Sequence, residues 1–278
     1  MSKIVELFGI QCDSGDDVSL ALKRQICPFT GKRCFKTRKS RPDVAIGTCT
    51  VRYQGTDVII CPNRLLERNK VFVDCIHLLS LHEPGNDLYI VPEVSIPGGS
   101  VDYVLVSAQR GKVKNFVGIE FQTMDTTGTV WPERQRFLQE KGYKVLAKDV
   151  KSDRPYGMNW KMTAKTILMQ LNHKTITFEN LNKHLVLVIQ SPLMKYMRKE
   201  FSFEHVEGVR IGDAMHIHSY DFQLSGHSVT LGMENRVSTD ASGVAKCLGL
   251  QAEARLGLED VCRLLEGKLK EEYRLVLG

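Results

Sequence analysis

Three polar side chains on two neighbouring apolar segments have the types and spacing of a divalent-cation site. Asp102 begins one segment, and Glu120 and Gln122 lie two residues apart at the end of the next. Side chains alternate along a strand, so Glu120 and Gln122 share a face. Carboxylates are preferred ligands of Mg²⁺, and Mg²⁺ held against a phosphate supports phosphodiester cleavage. The spacing indicates such a site, with Glu93 on the preceding segment as a further acidic residue.

The pattern D-x₁₇-E-x-Q is weak when it is taken alone. Acidic residues are common at strand ends, and an E-x-Q on any half-exposed strand would look the same. Its neighbours strengthen it, because Ile119 and Phe121 alternate with the two polar residues and make theirs the polar face of an otherwise apolar strand. We therefore favour a nuclease site over a solvated strand.

The elements that would position these residues follow the order helix, three strands, helix, strand. Apolar spacing predicts a helix over residues 62–81 and another over 160–171. Short turns between apolar runs predict antiparallel strands, and a continuous apolar run predicts a strand buried on both faces. The strands are predicted at residues 88–95, 101–107, 116–123 and 185–189, with a short one at 143–148.

Changes in composition divide the chain into three predicted segments. Residues 1–55 form a small N-terminal module, and residues 56–195 form the core that carries the carboxylates. Residues 196–278 form a C-terminal region, strand-rich at 209–231, that serves either dimerisation or DNA contacts.

The C-terminal region contains two further patterns. It ends in a predicted amphipathic helix whose apolar face contains Leu258, Val261, Leu265 and Leu269. His216 and His218 share a strand face, and two histidines without further ligands indicate a structural role rather than a metal site.

The N-terminal module contains four cysteines with the spacing C-x₁₄-C-x₆-C-x₁₄-C. They are Cys12, Cys27, Cys34 and Cys49. Four thiolates suit a tetrahedral site for Zn²⁺ or a single iron ion, and a short segment with little core needs such a support. Cys61 is an alternative ligand, and a set of reduced core cysteines is the other interpretation. Cys75, Cys247 and Cys262 are predicted to lie in the core.

Positive charge is concentrated in the same module. The chain has 38 Lys and Arg against 32 Asp and Glu, and eight of the basic residues fall within residues 23–41, which contain no acidic residue. A basic loop beside a metal site is suited to contacts with DNA phosphates, although a merely solvated loop has the same composition. The candidates for DNA contact are Lys32, Arg33, Lys36, Arg38, Lys39 and Arg41, together with Arg134 beyond the carboxylate site.

The N-terminus has no long apolar segment, and the longest apolar run, residues 185–189, is far too short to cross a bilayer. The sequence therefore predicts a cytoplasmic protein, in a compartment where thiols stay reduced and cysteines bind metals more often than they form disulfides.

Four sequence stretches resemble the NotI-type restriction endonucleases. They are CPFTGKRC at residues 27–34, ICPNRL at 60–65, PEVSIPGGSVDYVLV at 92–106 and GIEFQTMD at 118–125. The resemblance covers roughly the first 190 residues. It implies an α/β fold with a PD-(D/E)xK restriction-endonuclease-like core, that is, a mixed central sheet flanked by helices, preceded by a small four-cysteine metal module.

The resemblance also implies an activity. It implies a type II enzyme of a prokaryotic cell that uses Mg²⁺ and acts as a homodimer. Such an enzyme cuts both strands of a GC-rich palindromic DNA site to leave 5′-phosphate and 3′-hydroxyl ends, and a cognate DNA methyltransferase is its genetic partner. Asp102, Glu120 and Gln122 would take the catalytic positions, with Glu93 as the additional acid, and iron would occupy the cysteine site. Gln122 stands where the PD-(D/E)xK pattern usually has Lys.

Two other functions remain open from the sequence. One is a DNA- or RNA-binding protein on a nuclease-like fold that does not cut, which the neutral Gln122 favours. The other is a structure-specific repair nuclease. Discrete bands, no cleavage or structure-dependent nicking of a plasmid in Mg²⁺ would separate the three.

Overall fold

The computed structural model describes residues 3–38, 40–97, 99–151, 156–206, 208–225, 228–249 and 258–267. Its strands are β1 Ile4–Leu7, β2 Ile10–Gln11, β3 Thr37–Arg38, β4 Arg41–Ala45, β5 Thr48–Tyr53, β6 Thr56–Ile59, β7 Asp87–Ile96, β8 Gly99–Gln109, β9 Lys112–Gln122, β10 Thr126–Thr127, β11 Gly157–Met158, β12 His184–Gln190, β13 Met215–Ser225 and β14 Ser228–Thr239. Its α-helices are α1 Ser19–Arg24, α2 Lys70–Val73, α3 Trp131–Glu140, α4 Ala147–Val150, α5 Trp160–Asn180, α6 Ser191–Glu200, α7 Ala241–Cys247 and α8 Leu258–Glu266.

A six-stranded mixed sheet with the order β14-β13-β12-β9-β8-β7 forms the centre of the molecule. β7, β8 and β9 are joined as antiparallel neighbours by short turns. β12 runs parallel to both β9 and β13, and the connection from β9 to β12 passes through α3, α4 and α5. This confirms the predicted mixed sheet flanked by helices and the predicted strands at residues 88–95, 101–107, 116–123 and 185–189.

The two faces of the sheet are covered by different parts of the chain. Side chains alternate along β12, so Leu185 and Leu187 pack on the face toward α5 and α6. Val186 and Val188 pack on the opposite face, against the segment of residues 62–79. Both faces of β12 are therefore buried, as its continuous apolar sequence predicts.

The N-terminal residues form a separate four-stranded sheet with the order β2-β1-β5-β6. β6 pairs with β5 across the predicted boundary at residue 55, so this sheet extends to Ile59. The backbone N–H of Ile59 donates to Oε1 of Gln190 on β12 at 2.8 Å, and the Ile59 carbonyl accepts from Met124 at 3.1 Å. The small sheet is thereby attached to the central one.

Two predicted elements are wrong. Residues 62–81 do not form one helix, because Arg68 and Asn69, the last two residues of the 3₁₀-helix Pro62–Asn69, adopt left-handed φ values of 51° and 54° just before α2. The 3₁₀-helix Ile76–Leu78 follows α2. Residues 143–148 do not form a strand, since α4 begins at Ala147. Trp131–Glu140 forms a helix that its polar composition does not predict; Phe137 and Leu138 anchor it in the core.

The C-terminal predictions have mixed outcomes. The strand-rich region is confirmed, although its strands begin at Met215 rather than at residue 209. Cys75 and Cys247 are buried as predicted, but Cys262 is exposed, because the described part of α8 lies on the surface. Leu269 and Lys39 lie outside the described residues. Among the described helices, none is long and apolar enough to cross a membrane.

Candidate active site

A cleft of about 430 Å³ opens where β8 and β9 separate, and α5 forms its other wall. The ladder between the strands ends at the pair Tyr103–Ile119. Next to that pair, Oδ2 of Asp102 accepts a hydrogen bond from the backbone N–H of Phe121 at 2.8 Å. The backbone N–H of Asp102 in turn bonds to the carboxylate of Glu120. Beyond the last pair of the β8–β9 ladder, hydrogen bonds between side chains and the main chain thus connect the two strands, and they hold both carboxylates at the cleft.

Glu120 is the more buried of the two carboxylates. Burial raises its pKa to about 7, and the nearby charge of Asp102 acts in the same direction. Lys174 opposes this shift, since its Nζ lies 2.7 Å from Oε1 of Glu120. Two carboxylates and one ammonium group therefore share a site that is partly shielded from water.

Lys174 on α5 was not expected from the sequence as a member of this site. Its Nζ also donates to the carbonyl oxygen of Ser100 on β8 at 2.6 Å, and the side chain is buried. One signal in the sequence points to it. Residues 163, 167, 171, 174 and 178 are spaced to lie on one buried helical face, and a lysine in such a stripe needs a charged partner.

Gly118 lets α5 approach β9 closely enough for this contact. A β-carbon at Gly118 would lie only 2.3 Å from the ring of Phe178, which is one helical turn beyond Lys174. Gly118 and Glu120 share a strand face, so the ring that rests on Gly118 places Lys174 over Glu120.

The structure brings together three of the four predicted catalytic residues. Asp102, Glu120 and Gln122 all line the cleft, and Nε2 of Gln122 donates to the carbonyl oxygen of Thr123 at 2.6 Å. Glu93 does not line it. This residue is exposed on β7 with a left-handed φ of 52°, which is unusual for a residue other than glycine.

Comparison with known families decides what the cleft belongs to. The family model described as restriction endonuclease NotI matches residues 17–212, which contain the whole cleft. The chain belongs to the NotI restriction endonuclease family. It is therefore a type II restriction endonuclease, a site-specific deoxyribonuclease that acts on double-stranded DNA. No curated protein matches the chain.

In this NotI-family chain the contacts among the cysteines differ from the predicted set of four ligands. Cys49 donates a hydrogen bond from its thiol to Cys61, and that bond lowers the pKa of Cys61 to about 6. Burial raises the pKa of Cys34, and the nearby charges of Cys61 and Cys27 add to this shift. Cys12 has other neighbours, because burial and then Asp13 raise its pKa to about 12. Cys61, the alternative ligand, thus interacts with Cys49 and Cys34, whereas no cysteine contributes to the pKa shift of Cys12.

The predicted metal sites have no complete ligand set in the described part of the chain. Among those residues, no three Cys, His, Asp or Glu side chains group closely enough to hold an ion. The cysteine site therefore stays a prediction. The carboxylate cleft presents two acidic side chains, which is the number that proteins commonly supply to Mg²⁺ when a substrate phosphate and water complete the shell.

The basic candidates differ in their access to DNA. Lys32 and Arg33 are exposed, while Lys36 donates to the Ile60 carbonyl. Arg38 and Arg41 are half-buried and form ion pairs with Asp149 at 2.8 and 3.2 Å.

Arg134 is placed differently from these residues. It is buried, its Nε donates to the Ile46 carbonyl at 2.7 Å, and its guanidinium lies 4.9 Å from the centre of the Trp131 ring. Burial lowers its pKa to about 10. This position argues against the DNA contact predicted for Arg134, because its guanidinium serves the attachment of α3 to the N-terminal module.

Proposed function

We propose that this endonuclease uses Mg²⁺ at the cleft between β8, β9 and α5 to hydrolyse one phosphodiester bond in each strand of a GC-rich palindromic site. The proposal also includes a homodimer, since a two-fold symmetric protein matches a palindrome, and a cognate DNA methyltransferase as genetic partner. The observation that carries the proposal is the pair Asp102 and Glu120, tied to each other across separating strands in one cleft of a restriction-endonuclease chain.

Asp102 and Glu120 fit a divalent cation by their chemistry. Their charges repel, which contributes to the raised pKa of Glu120, and a cation between them would offset that repulsion. When bound, Mg²⁺ neutralises charge on the phosphate and lowers the pKa of water. Glu93, on the neighbouring strand but outside the cleft, stays the proposed additional acidic residue.

The residues of the chain would orient an ordinary hydrolysis. Water adds to phosphorus, the bond from phosphorus to the 3′ oxygen breaks, and that oxygen takes up a proton, which leaves 5′-phosphate and 3′-hydroxyl ends. Gln122 lies on the same strand face as Glu120 and lines the cleft. Its amide carries no charge, but it can both donate and accept hydrogen bonds, so it can orient the attacking water.

The N-terminal module would support this core and hold the DNA. We propose that iron or zinc binds Cys27, Cys34 and Cys49, and that Cys61 is a better candidate than Cys12 for the fourth ligand. A thiolate is the form that binds metal, and the lowered pKa of Cys61 favours that form. Lys32, Arg33, Lys36, Arg38, Lys39 and Arg41 are proposed as phosphate contacts.

A plasmid digest tests the function and the site together. We expect discrete bands in Mg²⁺, none in EDTA, and a loss of at least about 10²-fold in rate for Asp102→Asn with an unchanged melting temperature. The matched control is Asp87→Asn, an exposed aspartate at the start of β7. Cleavage by Asp102→Asn at the wild-type rate would contradict the assignment of the active site to this cleft. Nicking that depends on DNA structure would indicate a repair nuclease instead.

A further inference from the structure

We propose that Lys174 is a positioning residue of the active site, which supplies from α5 the ammonium group that Gln122 cannot supply from β9. This inference rests on the proposed function of the cleft. In the E-x-K form of such sites the lysine follows the glutamate on the same strand. Here the position carries an amide, and the nearest ammonium group to Glu120 comes from a helix 54 residues further along the chain.

The contacts of Lys174 join the two strands that carry the carboxylates. Its Nζ lies 2.7 Å from Oε1 of Glu120 on β9 and 2.6 Å from the carbonyl oxygen of Ser100 on β8. Ser100 precedes Asp102 by two residues. An ammonium group held by both strands fixes the Glu120 carboxylate relative to Asp102 at the point where the ladder has ended.

Stability alone does not account for this buried pair. Burying an ammonium and a carboxylate costs desolvation energy, and replacing such a pair with apolar side chains is often neutral or stabilising. The chain also makes room for the lysine at two separate glycines. A β-carbon at Gly99 would lie 3.3 Å from Cε of Lys174, and one at Gly118 would displace the helix that carries it.

From this position Lys174 is expected to contribute to the active site in two ways. Its hydrogen bond restricts the orientation of the Glu120 carboxylate, which is the group proposed to hold Mg²⁺. Its positive charge lies in the cleft, where it offsets the negative charge that a DNA phosphate adds on entry. The first contribution requires a hydrogen-bond donor that reaches Glu120, and the second requires a positive charge in the cleft.

Four variants of the full-length protein test the proposal. They are Lys174→Met, Lys174→Arg, the double variant Lys174→Met with Gln122→Lys, and the control Lys165→Met, an exposed lysine on the same helix. Two quantities are measured on a plasmid that the wild-type protein cuts into discrete bands. One is the single-turnover cleavage rate at saturating Mg²⁺, and the other is the Kd for the same DNA with Ca²⁺ in place of Mg²⁺.

We expect Lys174→Met to lower the rate by about 10²-fold or more while the Kd changes less than about threefold. Lys174→Arg is expected to retain most of the rate, because it keeps the charge. The double variant is expected to recover at least about tenfold over Lys174→Met, because it returns an ammonium group to the strand face of Glu120. Lys165→Met should match the wild type.

A rate for Lys174→Met within about threefold of the wild type would overturn the proposal, and so would equal losses in Lys174→Met and Lys174→Arg. If Lys174→Met does not fold, Lys174→Gln is judged by the same criteria, since it also removes the charge but keeps a polar side chain. Glu120→Gln separates this inference from the proposed function. If Glu120→Gln still cuts the plasmid, the proposed active site is wrong. If Glu120→Gln is inactive while Lys174→Met cuts at the wild-type rate, only the proposed role of Lys174 is wrong.

Discussion

The central sheet buries titratable side chains on both of its faces. One face carries an ion pair beside a cleft, and the other carries buried histidines. On the face toward α5, Glu120 of β9 keeps a charged partner, Lys174, and opens to a cleft. On the opposite face, His216 and His218 of β13 are fully buried beneath the segment of residues 62–79. Both strands pair directly with β12, so the two sites are separated by one strand and the thickness of the sheet.

The histidines are held neutral. Burial lowers the pKa of His216 to about 4 and that of His218 to about 3. Nδ1 of His218 lies 3.9 Å from Sγ of Cys75, and its Nε2 has no hydrogen-bond partner among the described residues. Neighbouring charges on His77 and Arg236 oppose protonation as well.

The comparison distinguishes a functional site from a packed one. A carboxylate and an ammonium group that contact each other beside an opening can act on a ligand, since their interactions change when it binds. Neutral imidazoles sealed against a thiol act on the stability of the fold instead. This supports the structural role that the sequence predicts for His216 and His218.

The largest expected effect separates the two faces by activity. Glu120→Gln should lower the Mg²⁺-dependent cleavage rate by about 10²- to 10³-fold or more, because it removes a charge from the proposed ligand pair. His218→Phe should leave the rate within about twofold of the wild type, since the ring lies across the sheet from the cleft. Measured cleavage rates on one plasmid check both. A comparable loss in His218→Phe would mean that the sealed face is coupled to the reaction.

The second effect concerns stability against pH. The unfolded chain protonates its histidines near their ordinary pKa of 6.5, whereas folded His218 resists protonation down to about pH 3. Its contribution is therefore fully present above pH 6.5 and is lost as the pH falls toward 3. We expect His218→Phe to reduce this acid loss by on the order of 3 kcal/mol, with little change at pH 7, where an apolar ring replaces a neutral one.

Urea unfolding of both proteins between pH 7 and pH 4 measures this difference. The control is His205→Phe, whose side chain is exposed. Parallel stability curves for the wild type and His218→Phe would show that His218 takes up a proton as readily in the folded state as in the unfolded state, and the contrast between the faces would then disappear.

The sequence predicted the functional face better than the contacts that complete it. Alternation along a strand is a local property, so Glu120 and Gln122 could be placed on one strand face from the sequence. The short turn between the two predicted strands placed Asp102 beside them. Lys174 could not be assigned in that way, because its contact with Glu120 depends on how closely α5 packs on β9. That distance is set by Gly118, and sequence spacing carries no information about it.

Other differences have similar physical causes. The apolar spacing of residues 62–81 predicts a helix, but the left-handed conformations of Arg68 and Asn69 interrupt it. The sequence pattern predicted Cys12 as a metal ligand with Cys61 as an alternative, and the pairing of β5 with β6 brings Cys61 to Cys49. The polar composition of residues 131–140 concealed α3, because Arg134 is buried against a partner, the Ile46 carbonyl, that lies 88 residues away in the chain.

The smallest expected effect tests the packing that creates the functional face. Gly118→Ala places a methyl group where the Phe178 ring now lies, so α5 must shift away from β9. Overpacking of this kind costs about 1–3 kcal/mol. Because Lys174 moves with the same helix, the cleavage rate should fall further than the fraction of unfolded protein explains.

Gly212→Ala is the matched control, since a β-carbon at Gly212 would meet no atom within 4 Å. Urea unfolding is followed across the whole transition. The single-turnover rate is measured on the same protein preparations at urea concentrations well below the denaturation midpoint. A loss of stability without a loss of rate would show that the approach of α5 serves packing alone. A loss of both would tie the distance between helix and strand to the chemistry of the cleft, and only the face toward α5 should show this link.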